Sequence, residues 1–329
     1  MHTPVRRDCW GVSAFFDPAG TAGSLDRLNA FSRRVQAQGL PLLVVELAFD
    51  QAPFRVTDAM ATRVIRFRSH TILWHKERLL NLGIRHLPRE CRVVAWLDHD
   101  IVFEHDTWID DTVAQLATHA VAQPYARAGW ADASGAPPAA DLPDGVGEGH
   151  QLPGFAAALA ATSDRRRALS HYLLHGHTGF AWAARRDVLD RHGLYDRAIV
   201  GGGDVINAHA FAADEDFLRG RNLYCRELAP RERQAIAAWG AGVASDTGGR
   251  LAFAPGRVVH QFHGPTSARG YLERLAILRD ADFDPEHDIA ADAQGCWQWN
   301  SDKPALHRRV REYFHSRVAE PAATITDHA

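Results

Sequence analysis

Arg92-Val93-Val94-Ala95-Trp96-Leu97-Asp98-His99-Asp100-Ile101-Val102-Phe103 is the stretch whose reading decides the fold. Val93 to Leu97 is a short apolar run, the pattern of a strand buried on both faces. It ends in two carboxylates one residue apart and turns apolar again at Ile101 to Phe103. Ligands of open α/β sheets bind beyond the carboxyl ends of the strands, so this placement aims Asp98 and Asp100 at a crevice. Two acids so close repel each other unless a cation sits between or beside them. Hard divalent ions such as Mg²⁺ and Mn²⁺ prefer carboxylate oxygens and often keep substrate phosphates as further ligands. The alternative reading is a solvated turn, because pairs at this spacing arise by chance in acid-rich chains. Other ligands must come from elsewhere in the sequence.

Upstream, Trp10 to Phe16 reads as a first strand, closed by Asp17-Pro18 and a Gly-rich loop. Leu25, Leu28, Phe31 and Val35 recur at helical spacing, with Gly39 past the helix end. Leu40 to Phe49 is a second buried strand. Strand, helix and strand with short joints imply a right-handed βαβ crossover and a parallel sheet. Thr62 to Phe67 is a short third strand. The next helix opens at Trp74. Leu73, Trp74, Glu77, Leu80 and Ile84 share one face, while Lys76 and Arg78 point elsewhere. No Gly-x-Gly-x-x-Gly follows the first strand and no Walker loop occurs, so neither a dinucleotide-binding enzyme nor a P-loop NTPase is supported.

Downstream, Asp106 is placed to cap a helix over Trp108 to His119, and Val121 to Pro124 reads as a strand. Tyr125 to Leu152 is rich in Gly, Pro and Ala, the composition of a long loop or lid. Phe155 to Leu174 reads as mostly helical. His177 to Arg186 reads as a strand entering a helix that ends near His192-Gly193. Ile199-Val200-Gly201-Gly202-Gly203-Asp204 is a loop opening a helix from Val205 to about Phe217. A helix over Leu228 to Val243, a strand over Val258 to Gly264, helices over Ser267 to Arg279 and Ala305 to Val318, and a frayed tail from Thr324 complete the chain.

The 329 residues are 46% hydrophobic and 23% charged, an ordinary globular composition with enough apolar mass for a full core. A net charge of −3 gives no global field toward nucleic acid or anionic lipid. Four cysteines, Cys9, Cys91, Cys225 and Cys296, form no CxxC; they suit a reducing compartment rather than a disulfide framework. The N-terminus lacks the apolar core of a signal peptide, and no stretch approaches the ~20 apolar residues of a membrane span. A cytoplasmic location is expected.

A second constellation stands at His260 and His263. In an extended strand a spacing of three puts side chains on opposite faces, but a turn at His263-Gly264 brings both toward one point. Imidazole suits Mn²⁺, Fe²⁺ and Zn²⁺; two unrelated polar residues at a sheet edge is the plainer reading. Gly202 and Gly203 either make a flexible turn whose Asp204 caps the next helix, or let the backbone approach a sugar while Asp204 takes a proton from an acceptor hydroxyl. Asp196 is the next candidate for that base. Lys76 is either a solvated helix residue or a cation within reach of a diphosphate. His177 is a satisfied polar residue or a donor-site contact, and Trp182, Phe180 and Tyr195 are core or sugar-stacking residues.

The order of these pieces resembles the β-1,4-galactosyltransferase group of GT-A glycosyltransferases. A parallel βαβ beginning is followed by Asp98-His99-Asp100 after an apolar strand. A Gly-Gly-Gly-Asp loop then follows a Gly-Phe-Ala-Trp segment, and His-x-x-His comes last. The resemblance spans roughly Trp10 to Leu278 and rests on about a dozen residues. In that group the last Asp of Asp-x-Asp binds Mn²⁺, and a Met and a His three residues apart complete the protein ligands. Asp100, His260 and His263 fall on those positions, with His260 in place of the Met. The group's Trp-Gly-Gly-Glu-Asp loop, which holds acceptor and base, matches Gly202-Gly203-Asp204 in part; Gly203 stands where the group has Glu.

The resemblance implies a GT-A-like fold, a mostly parallel twisted sheet with helices on both faces. The core would span about 8–280, a helical C-terminal appendage about 281–320 and a tail 321–329. It implies a Mn²⁺- or Mg²⁺-dependent hexosyltransferase-like enzyme of the soluble bacterial type, moving a sugar from a nucleotide-sugar to a glycan or other hydroxyl acceptor with inversion. Asp98, Asp100, His260 and His263 would hold the metal. Lys76, Asp98, His177, Gly202 and Gly203 would contact the donor, and Asp204 would be the base. Alternatives are a nucleotidyltransferase of similar fold, a carbohydrate-binding relative without the chemistry, and a metal-dependent hydrolase.

Overall fold

In a computed structural model, residues 6–18, 23–138, 149–264 and 273–316 are described. Strand β1 (Cys9–Phe16), helix α1 (Ser24–Ala37), β2 (Leu42–Phe49), β3 (Arg63–Ser69), α2 (Lys76–Arg85) and β4 (Val93–Leu97) follow the expected order. All five residues of β4 and all eight of β2 are buried, as runs without alternation require in a strand covered on both faces. Then come β5 (Ile101–Phe103), α3 (Trp108–Leu116), β6 (Val121–Gln123), β7 (Arg127–Trp130), β8 (Gln151–Pro153), and the short helices α4 (Phe155–Ala161), α5 (Arg165–Leu169) and α6 (Tyr172–His175). β9 (Ala181–Arg185) runs into α7 (Arg186–His192); α8 (Gly203–Phe211), α9 (Glu215–Leu218), α10 (Leu223–Arg226) and α11 (Pro230–Thr247) follow. The chain closes through β10 (Leu251–Phe253), β11 (Arg257–His260), α12 (Glu273–Asp280), β12 (Ile289–Ala291), β13 (Trp297–Trp299) and α13 (Pro304–Ser316).

The main sheet has seven strands in the order β10-β6-β9-β4-β1-β2-β3. β1 is parallel to β2 and β4, β2 to β3, and β6 to β10; β9 runs antiparallel between β4 and β6. One apolar core lies under α1 and α3, with Leu28, Phe31 and Trp108; a second lies on the opposite face under α2, α4 and α7, with Leu79, Leu80, Phe155 and Leu189. The expected mostly parallel α/β sheet with helices on both faces is therefore what the chain forms.

A second sheet, β5-β11-β7-β8, was not foreseen. β11 pairs antiparallel with β5, setting His260 opposite Ile101, and parallel with β7. β7 corrects the reading of Tyr125 to Leu152 as loop or lid throughout, since Arg127–Trp130 is a strand with its last three residues buried; residues 139–148 of that stretch lie outside the described residues. Asp106 does not cap α3 either. Thr107 holds the cap position, and its hydroxyl donates to Asp111 Oδ2 at 2.7 Å. The helix expected from Val205 to Phe217 breaks at Ala212–Asp214, where Asp214 caps α9 by accepting from the amides of Asp216 and Phe217.

The C-terminal segment is more than helical. β12 and β13 form a hairpin, and Phe283, Ile289, Trp297, Leu306, Val310 and Phe314 share a third core with Leu73, Ile199, Ile206 and Phe217. This core fixes the loop leading to Gly201–Gly203. The Gly-rich loop after Pro18, the start of the helix expected from Ser267 and the tail from Thr324 lie outside the described residues. No helix among the described residues is long and apolar enough to cross a membrane.

Candidate active site

Asp98 leaves the carboxyl end of β4, its amide donating to Phe180 O at 2.8 Å. Two residues on, Asp100 O accepts from the Gln261 amide at 2.7 Å as β5 pairs with β11. That pairing carries the end of β11 to the tip of β4. His263 Nε2 lies 3.0 Å from Asp100 Oδ2, His260 Nε2 lies 3.3 Å from the same oxygen, and the two imidazole nitrogens are 3.2 Å apart. The turn after His260 therefore brings the two histidines together despite their odd spacing. His260 is nearly buried and its ring stacks on Phe180, centroids 5.3 Å apart.

These three side chains fit a divalent cation. Ligand atoms ~2.1 Å from one ion stand ~3.0 Å apart at right angles and ~3.4 Å apart at the tetrahedral angle; the observed spacings lie between. Among the described residues Asp100 Oδ1 is buried without a hydrogen-bond partner, an oxygen left over for an ion or its bound water. Burial works against the Asp100 carboxylate, yet the charges and hydrogen bonds of His260 and His263 hold it well below the usual carboxylate range. One carboxylate oxygen and two imidazole nitrogens are a borderline donor set that suits Mn²⁺ better than Mg²⁺.

Asp98, expected as a fourth ligand, is elsewhere. Lys76 Nζ stands 2.7 Å from Asp98 Oδ1, and 3.0 and 3.2 Å from the two oxygens of Asp204. Lys76 opens α2, and its side chain is only 12% exposed, so it is not the solvated residue its place off the apolar stripe suggested. Burial opposes its charge, but Asp204, Asp98 and then Glu77 outweigh that and hold the ammonium well above its ordinary pKa. Burial pushes Asp98 up to about 6 against the pull of Lys76. Asp204 does not cap α8. Gly202 occupies the cap position and the Asp204 carboxylate accepts from Lys76.

The glycines of the Gly-Gly-Gly-Asp loop have a packing cause. Gly202 has φ +100°, and a Cβ there would sit 2.2 Å from the Tyr224 hydroxyl; at Gly203 it would sit 2.4 Å from the Glu77 carboxyl. The close approach seen here is to the protein's own side chains. Glu77 is the residue that motif reading missed. It is 4% exposed, accepts from Trp74 Nε1 at 3.1 Å, and is pushed up to about 8 by burial. Its signal was an acid inside an otherwise apolar helix face. Trp182 is core and Tyr195 is buried, whereas Phe180 joins the site. His177 pairs through Nδ1 with the Tyr172 hydroxyl at 2.8 Å and packs edge-on against Trp130. It also lies near Asp204 across Gly179: a Cβ on Gly179 would lie 3.0 Å from His177 Nε2 and 3.4 Å from Asp204 Oδ2. Asp196, the reserve base, is held by Arg78 and Asn81 at 3.1 and 2.9 Å instead.

No protein-family model matches the chain, and no curated protein does. Similar solved structures include the following. Glucosyl-3-phosphoglycerate synthase from Mycobacterium tuberculosis, in complex with Mn²⁺, UDP and phosphoglyceric acid, is 14% identical over 96% of this chain and 80% of that one, with TM-score 0.38. Mannosyl-3-phosphoglycerate synthase from Rubrobacter xylanophilus is 13% identical over 89% and 85%, with TM-score 0.41. The catalytic domain of Drosophila beta1,4galactosyltransferase 7, complexed with xylobiose, is 11% identical over 91% and 98%, with TM-score 0.38.

Proposed function

We propose that this chain is a divalent-metal-dependent glycosyltransferase, built on one GT-A-like domain, that moves a sugar from a nucleotide-sugar to a hydroxyl acceptor with inversion. The observation that carries this reading is the pairing of two clusters at one strand end. Asp100, His260 and His263 gather ligand atoms that could hold a cation, and beside them Lys76 bridges Asp98 and Asp204. A metal held by the first cluster would act as Lewis acid on the departing diphosphate.

The chain's own residues do the rest. Lys76 offers a buried, permanently charged ammonium to a diphosphate oxygen. Once the diphosphate draws it away, the Asp204 carboxylate is left without its cation and becomes free to accept a proton. The acceptor hydroxyl gives its proton to Asp204 as its oxygen bonds the anomeric carbon, and the bond from that carbon to the diphosphate oxygen breaks with its electron pair. Attack from the face opposite the leaving group inverts the centre. His177, beside Asp204 across Gly179, lines the same cleft. Gly202 and Gly203 keep the loop low enough for acceptor to reach Asp204.

The test is a thermal-shift screen of nucleoside diphosphates and nucleotide-sugars with and without Mn²⁺, followed by turnover of the stabilising donor. A ligand at a hundredfold excess over its Kd raises stability by about 2.7 kcal/mol. Asp204→Asn should leave that shift in place and lower turnover by about two to four orders of magnitude. Absence of any Mn²⁺-dependent nucleotide shift would end the proposal.

A further inference from the structure

Leu173, Leu174 and Leu223 are 53%, 45% and 60% exposed. Phe54, a fourth exposed large hydrophobic residue, differs because the Arg68 guanidinium covers its ring at 4.7 Å. The three leucines belong to two single-turn helices, α6 and α10, that adjoin through α5. Asn222, the cap of α10, donates from Nδ2 to Leu169 O at 3.1 Å. Arg165 pins α5 by donating to Ala212 O and Gly249 O at 2.9 and 2.6 Å. His175 of α6 packs on His209, His209 stacks on Phe217, and Phe217 stacks on Tyr224 of α10.

Leu173 and Leu223 are each next in sequence to a tyrosine that turns toward the cleft. Tyr172 meets His177, and the Tyr224 hydroxyl lies under Gly202. The apolar tips therefore stand beside the Asp204 cleft.

Their surroundings are locally basic although the chain as a whole is acidic. Residues 164–175 and 215–227 contain six arginines, Arg165, Arg166, Arg167, Arg219, Arg221 and Arg226, against four acids. Arg166 and Arg221 share Asp216, and Arg219 pairs with Glu215. Arg167 and Arg226 are exposed and have no carboxylate partner among the described residues.

We infer that α5, α6 and α10 form a docking surface for an anionic lipid bilayer. Leucine tips insert at the headgroup–acyl boundary while arginines meet lipid phosphates, the combination that holds interfacial proteins on acidic membranes. A protein partner is the poorer fit, because protein hot spots are built from packed Trp, Tyr and Arg, with Leu under-represented. The inference is independent of glycosyl transfer and is measured without turnover.

The experiment is vesicle flotation of the full chain with phosphatidylcholine alone and with about one third phosphatidylglycerol, at low and high salt. Binding is expected only to the acidic vesicles, and it should weaken with salt. The L173S/L174S/L223S variant should lose at least about tenfold in partitioning. R167E/R226E should lose at least about twenty-five-fold, since each arginine near the surface is worth roughly fivefold. Both variants change exposed side chains, and an unchanged melting curve verifies their fold. The inference is overturned if the parent protein ignores acidic vesicles, if binding survives both variants, or if the leucine variant instead dissolves a concentration-dependent self-association.

Discussion

Lys76, at the start of α2, places its ammonium 3.0 Å from Oδ1 of Asp204 in the first turn of α8, 128 residues further along the chain. Asp98 completes the bridge at 2.7 Å. Both helix starts are tied to the sheet tip by this one cation. This also means that Asp204 is a guarded group until something competes for Lys76.

Lys76→Met removes that cation and leaves Asp98 and Asp204 facing each other. Breaking a buried pair costs roughly 3–5 kcal/mol, and the partial exposure of both acids reduces this to about 2 kcal/mol. The same variant should bind nucleoside diphosphates at least tenfold more weakly. Urea unfolding and a nucleotide titration check the two effects, and wild-type values in both would remove Lys76 from the site.

The two acids of Asp98-x-Asp100 should separate in a metal titration. Mn²⁺ should raise the melting temperature of the parent and of Asp98→Asn, because Asp98 faces Lys76. It should leave Asp100→Asn and His263→Ala unmoved, because each loses one of three ligands. A shift that vanishes in Asp98→Asn and persists in Asp100→Asn would reverse the assignment.

Gly202→Ala puts a methyl 2.2 Å from the Tyr224 hydroxyl at a residue with φ +100°. The overlap and the left-handed backbone together should destabilise by about 2–4 kcal/mol. Tyr224→Phe alone should be near neutral, since its buried hydroxyl has no partner among the described residues. Combined with Gly202→Ala it should recover about half the loss, because the nearest remaining atom is then 3.6 Å away while the strain persists. A double-mutant cycle by denaturant unfolding measures this coupling.

Glu232 in α11 gives a pH signature away from the cleft. It is 1% exposed, and burial pushes it up to about 8 from 4.5. Below pH 4.5 the carboxyl is neutral in both folded and unfolded chains and contributes no difference. Between 4.5 and 8 the folded chain keeps a proton that the unfolded chain has released, so stability falls as pH rises. Glu232→Gln should match the parent at pH 4 and exceed it increasingly toward pH 8, by a few kcal/mol. Parallel stability curves for the two proteins across this range would refute a buried neutral Glu232.

The sequence by itself determined the main sheet and the residue types at its tip. Buried runs such as Val93–Leu97 and Leu42–Phe49 can be satisfied only in strands covered on both faces, and a short βαβ joint fixes their parallel sense. Asp98, Asp100, His260, His263 and Asp204 were therefore legible as strand-end or loop residues. Which of them meet was decided by tertiary structure. The antiparallel pairing of Ile101–Phe103 with Arg257–His260 brings His260 to Asp100 from 160 residues away, and no local pattern encodes a partner at that distance. The same is true of Lys76, whose place off the apolar stripe suggested solvent; the direction of one side chain at a helix start depends on what α8 and β4 put opposite it. Asp98 and Asp100 look equivalent in sequence, yet the strand end turns one toward an ammonium and the other toward two imidazoles. Charge placement of this kind is a long-range electrostatic outcome of packing, which periodicity and propensity do not carry.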